Sequence, residues 1–186
     1  VTPAQWQAYC NTEQCSPKTL KNAWMFVASV IYQTTKQKID VSLPAVPKRI
    51  RAYLDYQQIL TFVDAVHGAP CEVPALLALC SLRRSEILGL HWRDIDLEKQ
   101  LVHVRGAAVL DEDGALVYKD TAKNDTSLRA VPILIPQLSD ALSRMIGDPN
   151  ALLITGAPNV LWRQINSICA EAGLPLVGVH GLRHSF

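Results

Sequence analysis

Charge of one sign is not in excess in this 186-residue sequence: 18 Lys and Arg stand against 17 Asp and Glu, a formal net charge of +1. Net charge therefore cannot draw the chain to nucleic acid or to an anionic surface, and any such contact has to come from how the charges are distributed. No apolar run approaches the length that spans a bilayer, and the start does not read as a secretory signal, so a cytoplasmic protein with no membrane partner is expected. The first residue is Val1 rather than Met, which leads us to expect that the chain begins inside a longer protein. Cysteines are few, odd in number and scattered (Cys10, Cys15, Cys71, Cys80, Cys169); there is no C-x-x-C, and no histidine lies near the first pair to complete a zinc quartet. Reduced structural thiols are the expected state. Internal repeats and low-complexity segments are lacking as well. What is present is ordinary globular material, 49% hydrophobic and 19% charged, long enough for a real core and for one domain plus part of another.

The apolar spacing organises this material. Ser16-Pro17 reads as an N-cap followed by proline at the first helical position. Behind it Leu20, Ala23/Trp24, Val27 and Val30/Ile31 mark one helical face. Thr2-Pro3 opens a shorter helix carrying Trp6 and Tyr9, whose aromatics are read as core packing. Two prolines in Ser42–Pro47 break the periodicity and mark a linker. Leu54 to Val66 reads as a helix, Val73 to Leu79 as a fully buried one, and Ser85-Glu86 as the start of a third. Leu101–Val104 alternates like a strand. Ala107–Leu110 and Ala115–Tyr118 form a hairpin around the acidic turn 111–114, and Leu128–Ile133 is a further strand. Pro136 and Pro158 open helices of about 136–146 and 158–172, with Gly173 as C-cap of the second. The expected fold is α+β and mainly α, with a small three-stranded antiparallel sheet.

Against this background a few basic residues carry chemistry. Arg83, Lys123, His180 and Arg183 come from three separate regions and could together neutralise and protonate one phosphodiester. Arginine offers a planar fork that matches two phosphate oxygens. Histidine titrates where a proton must pass, and lysine can protonate a departing alkoxide. His180 and Arg183 are three apart, so one helical turn places them on one side. Each has a plainer alternative. Arg83 could be a surface arginine paired with Glu86, a part that the neighbouring Arg84 could also play. Lys123 could be a solvated loop lysine, with Lys119 as the other candidate. His180 and His184 at i,i+4 could chelate a metal, although the H-E-x-x-H pattern is absent. Five cations, Lys36, Lys38, Lys48, Arg49 and Arg51, face Asp40 alone over residues 36–51. That cluster is either a solvated surface or a stretch lying along a phosphate backbone. His67, His91 and His103 carry no assigned function.

Three motifs in order give these residues a family. Leu82-Arg83-Arg84-Ser85-Glu86-Ile87-Leu88, Thr121-Ala122-Lys123 with the following strand to Ile133, and His180-Gly181-Leu182-Arg183-His184 resemble the boxes of the tyrosine recombinases, the integrase family of DNA breaking–rejoining enzymes. The resemblance implies a partial core-binding helical domain at 1–45, a basic linker at 46–53 with Lys48, Arg49 and Arg51 on DNA, and a catalytic domain at 54–186. It implies that Arg83 and Arg183 clamp the scissile phosphate and that Lys123 protonates the leaving 5′ oxygen. His180 would handle protons, Glu86 would hold the helix junction, and His184 would make a buried hydrogen bond that braces the site. It further implies site-specific recombination through a 3′-phosphotyrosine, with no cofactor or metal. The implied partners are a specific double-stranded DNA site and sister subunits in a tetramer, in a prokaryotic host. An integrase of a phage or mobile element ranks above a resolvase.

One element of the pattern is missing. The family's nucleophile is a tyrosine downstream of the His-x-x-Arg box, and Tyr9, Tyr32, Tyr53, Tyr56 and Tyr118 all lie upstream. The expectation is a phosphate-activating half-site without its nucleophile. Two rivals remain open: a truncated, non-catalytic DNA-binding relative, and a metal-free phosphohydrolase using His180 as nucleophile.

Overall fold

Proline, caps and apolar spacing set the helices much as local chemistry dictates. In the computed structural model, which describes residues 2–12, 15–47, 52–113, 115–120, 128–145 and 147–185, the chain divides into two units, 1–50 and 51–186. The first holds α1 (Pro3–Thr12) and α2 (Pro17–Thr35). The Ser16 hydroxyl accepts the Thr19 N–H at 3.2 Å, and Pro17 occupies the first turn, where its missing donor costs nothing. Lys36 closes α2 in the left-handed conformation, φ 59°. Trp6 packs on Trp24 with ring centroids 5.2 Å apart, and both are buried with Leu20. Further along α2 the expected apolar face is only partly covered: Val27 and Ile31 are half-buried and Val30 is exposed.

In the second unit, α3 (Tyr56–Val66) begins behind Asp55, whose carboxylate accepts the Gln58 N–H at 2.9 Å while Gln58 accepts the Asp55 N–H at 3.0 Å. That capping box explains why the helix starts after Leu54. All eight residues of α4 (Glu72–Leu79) are buried, as the continuous apolar run demands. This helix is the centre of the core, against which α6 (Pro136–Ser143) and α8 (Gly178–Ser185) pack. α5 (Arg84–Gly89) follows directly, and a Cβ on Gly89 would stand 2.9 Å from the Ala108 nitrogen, so the helix comes against β3 (Gly106–Leu110) only because glycine is there. α7 (Pro158–Glu171) ends at Gly173, φ 68°, in a paired 5→2 and 6→1 closure made by the N–H groups of Gly173 and Leu174. α6 stops at Ser143, short of the expected 146, and Arg144 turns its guanidinium to Glu72.

The strands differ from expectation in grouping. A three-stranded antiparallel sheet is present, but its order is β1 (Ile95–Asp96), β2 (Leu101–Val104), β5 (Arg129–Pro132). The hairpin of β3 and β4 (Leu116–Asp120) forms a separate two-stranded sheet. A two-residue strand such as β1 is too short to show any periodicity. The break lies at Arg105, an exposed residue outside both strands: β2 ahead of it pairs with β5, and β3 behind it pairs with β4. Cys71, Cys80 and Cys169 are free and buried, and burial pushes the Cys71 thiol up to about 11. No helix among the described residues is long and apolar enough to cross a membrane.

Candidate active site

Arg83 sits in extended conformation where the core helix α4 gives way to α5, so its backbone is held by the most buried part of the molecule. At the third residue of α5, Glu86 turns back over this junction. Its Oε2 accepts the Arg83 N–H at 2.7 Å and its Oε1 accepts Arg83 Nη1 at 2.8 Å. The carboxylate supplies one half of a capping box; no side chain at the cap returns the favour.

A second arginine arrives from the sheet. Arg129, the first residue of β5, donates Nη1 to Glu86 Oε1 at 2.9 Å and Nη2 to Oε2 at 2.7 Å, the bidentate geometry of a guanidinium on a carboxylate. A third comes from α8: Arg183 Nη1 lies 3.8 Å from Glu86 Oε2, a charge contact too long for a hydrogen bond. That nitrogen is buried and has no hydrogen-bond partner among the described residues. Three guanidiniums thus converge on one carboxylate, and the cluster carries a surplus of positive charge.

The electrostatics follow. Burial would raise the Glu86 carboxyl, but the hydrogen bonds from Arg129 and from the Arg83 backbone and side chain outweigh it and hold it down to about 2. Arg183 is lowered from the ordinary arginine range, first by burial and then by repulsion from Arg83 and Arg129, with Glu86 acting the other way. Arg183 is thus a half-buried arginine with one buried nitrogen lacking an acceptor among the described residues and with like charges pressed against it, an arrangement that an external anion could complete.

His180 and His184 share α8 with Arg183. Their Nε2 atoms are 3.1 Å apart and the rings meet edge to face at 4.4 Å. Both are exposed, which corrects the expectation of a buried bond at His184: the residue is paired with His180 on the solvent side of its helix. The expected Arg83–Glu86–Arg183 grouping is brought together. Lys123, Lys48, Arg49 and Arg51 lie outside the described residues, so their positions are not part of this geometry. Lys119 is exposed on β4, with its backbone paired to Ala107.

Arg129 is the member of the cluster that sequence reasoning passed over. The available signal was its place at the head of a strand directly after the lysine turn, where a long basic side chain could return toward the first arginine box. Among the described residues no group of three or more His, Cys, Asp or Glu could hold a metal ion.

Comparison with known proteins bears on the whole second unit. The model of the phage integrase family matches residues 52–186. A Mycobacterium tuberculosis protein described as a prophage phiRv2 integrase is 33% identical over 125 residues, 59% of this chain and 32% of that protein. A tyrosine recombinase XerC-like protein of Caldanaerobacter subterraneus subsp. tengcongensis is 28% identical over 187 residues, 84% of this chain and 46% of that protein. The chain therefore matches less than half the length of these curated relatives. The Tn1549 transposon integrase in complex with transposon right end DNA has the same fold, with a TM-score of 0.78 at 18% identity over 100% of this chain and 71% of that one. The lambda integrase tetramer bound to a Holliday junction follows at 0.60 and 15% identity, over 99% and 58%.

Proposed function

Since this chain belongs to the phage integrase family, we propose that its arginine cluster is the phosphate-activating part of a tyrosine recombinase site. The reaction is site-specific cutting and rejoining of duplex DNA through a 3′-phosphotyrosine. The observation that carries this reading is the convergence of Arg83, Arg129 and Arg183 on the single buried Glu86, which leaves positive charge in surplus and one buried Arg183 N–H without an acceptor. A non-bridging phosphate oxygen supplies that acceptor, and the charge surplus stabilises the pentacoordinate transition state. Arg83 and Arg183 clamp the phosphate, Glu86 fixes Arg83 at the helix junction, His180 relays a proton with His184 beside it, and Lys123 protonates the 5′ oxygen. The covalent bond stores the phosphodiester energy, so no nucleotide cofactor is needed. Lys48, Arg49 and Arg51 follow the DNA backbone between a partial core-binding domain and the catalytic domain. The working form is a tetramer on its recombination site, in the cytoplasm of a prokaryotic host.

None of Tyr9, Tyr32, Tyr53, Tyr56 and Tyr118 stands after the His-x-x-Arg box, where the family's nucleophile is expected. Tyr118, the tyrosine nearest the lysine turn, packs edge to face on His91 at 5.1 Å. The test is a nicked suicide duplex that traps phosphotyrosine, read on a denaturing gel. The 186-residue chain is expected to form no adduct. An adduct that disappears in Tyr118→Phe would overturn the assignment of the nucleophile. Adduct formation only when a longer protein is added would support the half-site reading. A longer protein that binds its site and never cleaves would make the non-catalytic DNA-binding alternative the better one. Binding itself should weaken steeply with salt, and neutralising Lys48, Arg49 and Arg51 should flatten the slope by roughly one unit per lost phosphate contact.

A further inference from the structure

The count of donors around Glu86 says more than that the carboxylate is well held. Four hydrogen bonds reach its two oxygens: the Arg129 fork at 2.9 and 2.7 Å, and the Arg83 N–H and Nη1 at 2.7 and 2.8 Å. Each oxygen takes two donors, which fills the roughly four lone-pair positions a carboxylate presents. Arg183 Nη1 stands 3.8 Å from Oε2, buried and without a hydrogen bond among the described residues. It is within reach of the carboxylate yet has no lone pair left to take.

We infer that Arg129 is a positioning residue: by occupying one place on each Glu86 oxygen, it keeps the buried carboxylate from capturing Arg183 and so leaves the Arg183 N–H open for a phosphate oxygen. Remove the fork, and both oxygens of Glu86 have a vacant position. Arg183 then needs a shift of only about 1 Å to make a charge-assisted hydrogen bond. The internal anion competes with the external one for the same guanidinium, and a buried carboxylate left with only the two Arg83 donors competes strongly. Arg129 also joins the head of β5 to the α4–α5 junction, so the strand after the lysine turn is tied to the carboxylate that orders the arginines. This inference rests on the phosphate reading of the cluster proposed above.

The test uses the 186-residue chain and inorganic phosphate as probe, following the Arg183 side-chain N–H resonances by NMR. The wild-type chain is expected to show saturable perturbation at Arg183. Arg129→Met is expected to weaken that binding about tenfold, the scale of one competing hydrogen bond to a charged group. In the same variant a new Arg183 N–H protected from solvent exchange should report the capture by Glu86. Arg129→Lys keeps the charge without the fork and should fall between. The double variant Arg129→Met/Glu86→Gln removes the competitor and should return to within about threefold of wild type. Arg84→Met, which deletes the same charge at the exposed neighbouring position, should leave phosphate binding as it was. If Arg129→Met binds like wild type, or if Glu86→Gln fails to rescue it, or if Arg84→Met weakens binding equally, the inference is overturned while the phosphate reading stands. If Arg129→Met fails to fold, wild-type affinity in Arg129→Lys overturns it just as well. Absence of any phosphate response at Arg183 in the wild-type chain sinks the phosphate reading and this inference with it.

Discussion

Two buried glutamates, Glu86 and Glu72, are built alike and do different things. Both are buried near the start of a helix, both receive an arginine on both oxygens, and both are held below the ordinary carboxylate range although burial pushes the other way. Glu72 accepts Arg144 Nη2 at 2.8 and 2.7 Å and the Gly68 N–H at 3.1 Å, with His67 Nδ1 3.1 Å away. There one permanent cation meets one anion and every donor reaching the carboxylate is spent on it. Around Glu86 three arginines share one carboxylate, and Arg183 has a buried N–H left over. A closed charge account staples α4 to the end of α6. An open one leaves a donor unmatched. The difference lies in what remains unmatched, since a salt bridge at either place would look the same in a list of residues.

The comparison can be broken most directly by deleting each carboxylate. Glu86→Ala strands three guanidiniums together and should cost roughly 3–5 kcal/mol in urea unfolding. Glu72→Ala frees a half-exposed Arg144 to turn into water and should cost only about 1–3 kcal/mol. Equal losses would show that the surplus charge at Glu86 is not what distinguishes them. In a longer chain that carries the nucleophile, Arg183→Ala should reduce strand cleavage by roughly a hundredfold or more with the fold intact, the scale of removing one donor from a developing oxyanion. Arg144→Ala should leave the chemical step alone, and a matching loss there would merge the two clusters into one functional unit.

Acid sharpens the contrast. A carboxylate whose native pKa is about 2, against an ordinary value of 4.5, adds stability above the ordinary value and loses it as the pH falls toward 2. The full contribution is at most about 3 kcal/mol. The unfolding free energy should therefore decline steeply between pH 5 and pH 2 in the wild-type chain and less steeply in Glu86→Gln; parallel curves would remove Glu86 from acid unfolding. The smallest effect is expected at His184. Exposed as it is, its replacement by Ala should change stability by no more than about 0.5 kcal/mol, and a drop in melting temperature of several degrees would restore the buried brace expected from sequence.

Most helices could be read before any coordinates. Ser16-Pro17, Pro136 and Pro158 each open a helix where expected, and the run from Val73 to Leu79 is buried throughout. The errors fall where a decision belongs to distant partners. Helix α6 stops at Ser143, with Arg144 engaged by Glu72. The short strand Ile95–Asp96 exists only through its pairing with Leu101–Val102. Arg83, Glu86 and Arg183 were legible as a group because they lie in motifs. Arg129 was not, because a strand residue carries no local sign of which carboxylate it will meet.

Residue type and spacing were enough to establish what acts over a turn or two: caps, first-turn prolines, the buried helix at the centre and the three basic motifs that mark the family. These depend on backbone donors and apolar faces within a few residues of each other. Packing decided what acts across the chain. It made Arg129 the bidentate partner of Glu86 and left Arg183 short of an acceptor, and it turned His184 outward to pair with His180. Charges interact through space with no memory of sequence separation, so which cation meets which anion is settled only when the helices and the sheet come together.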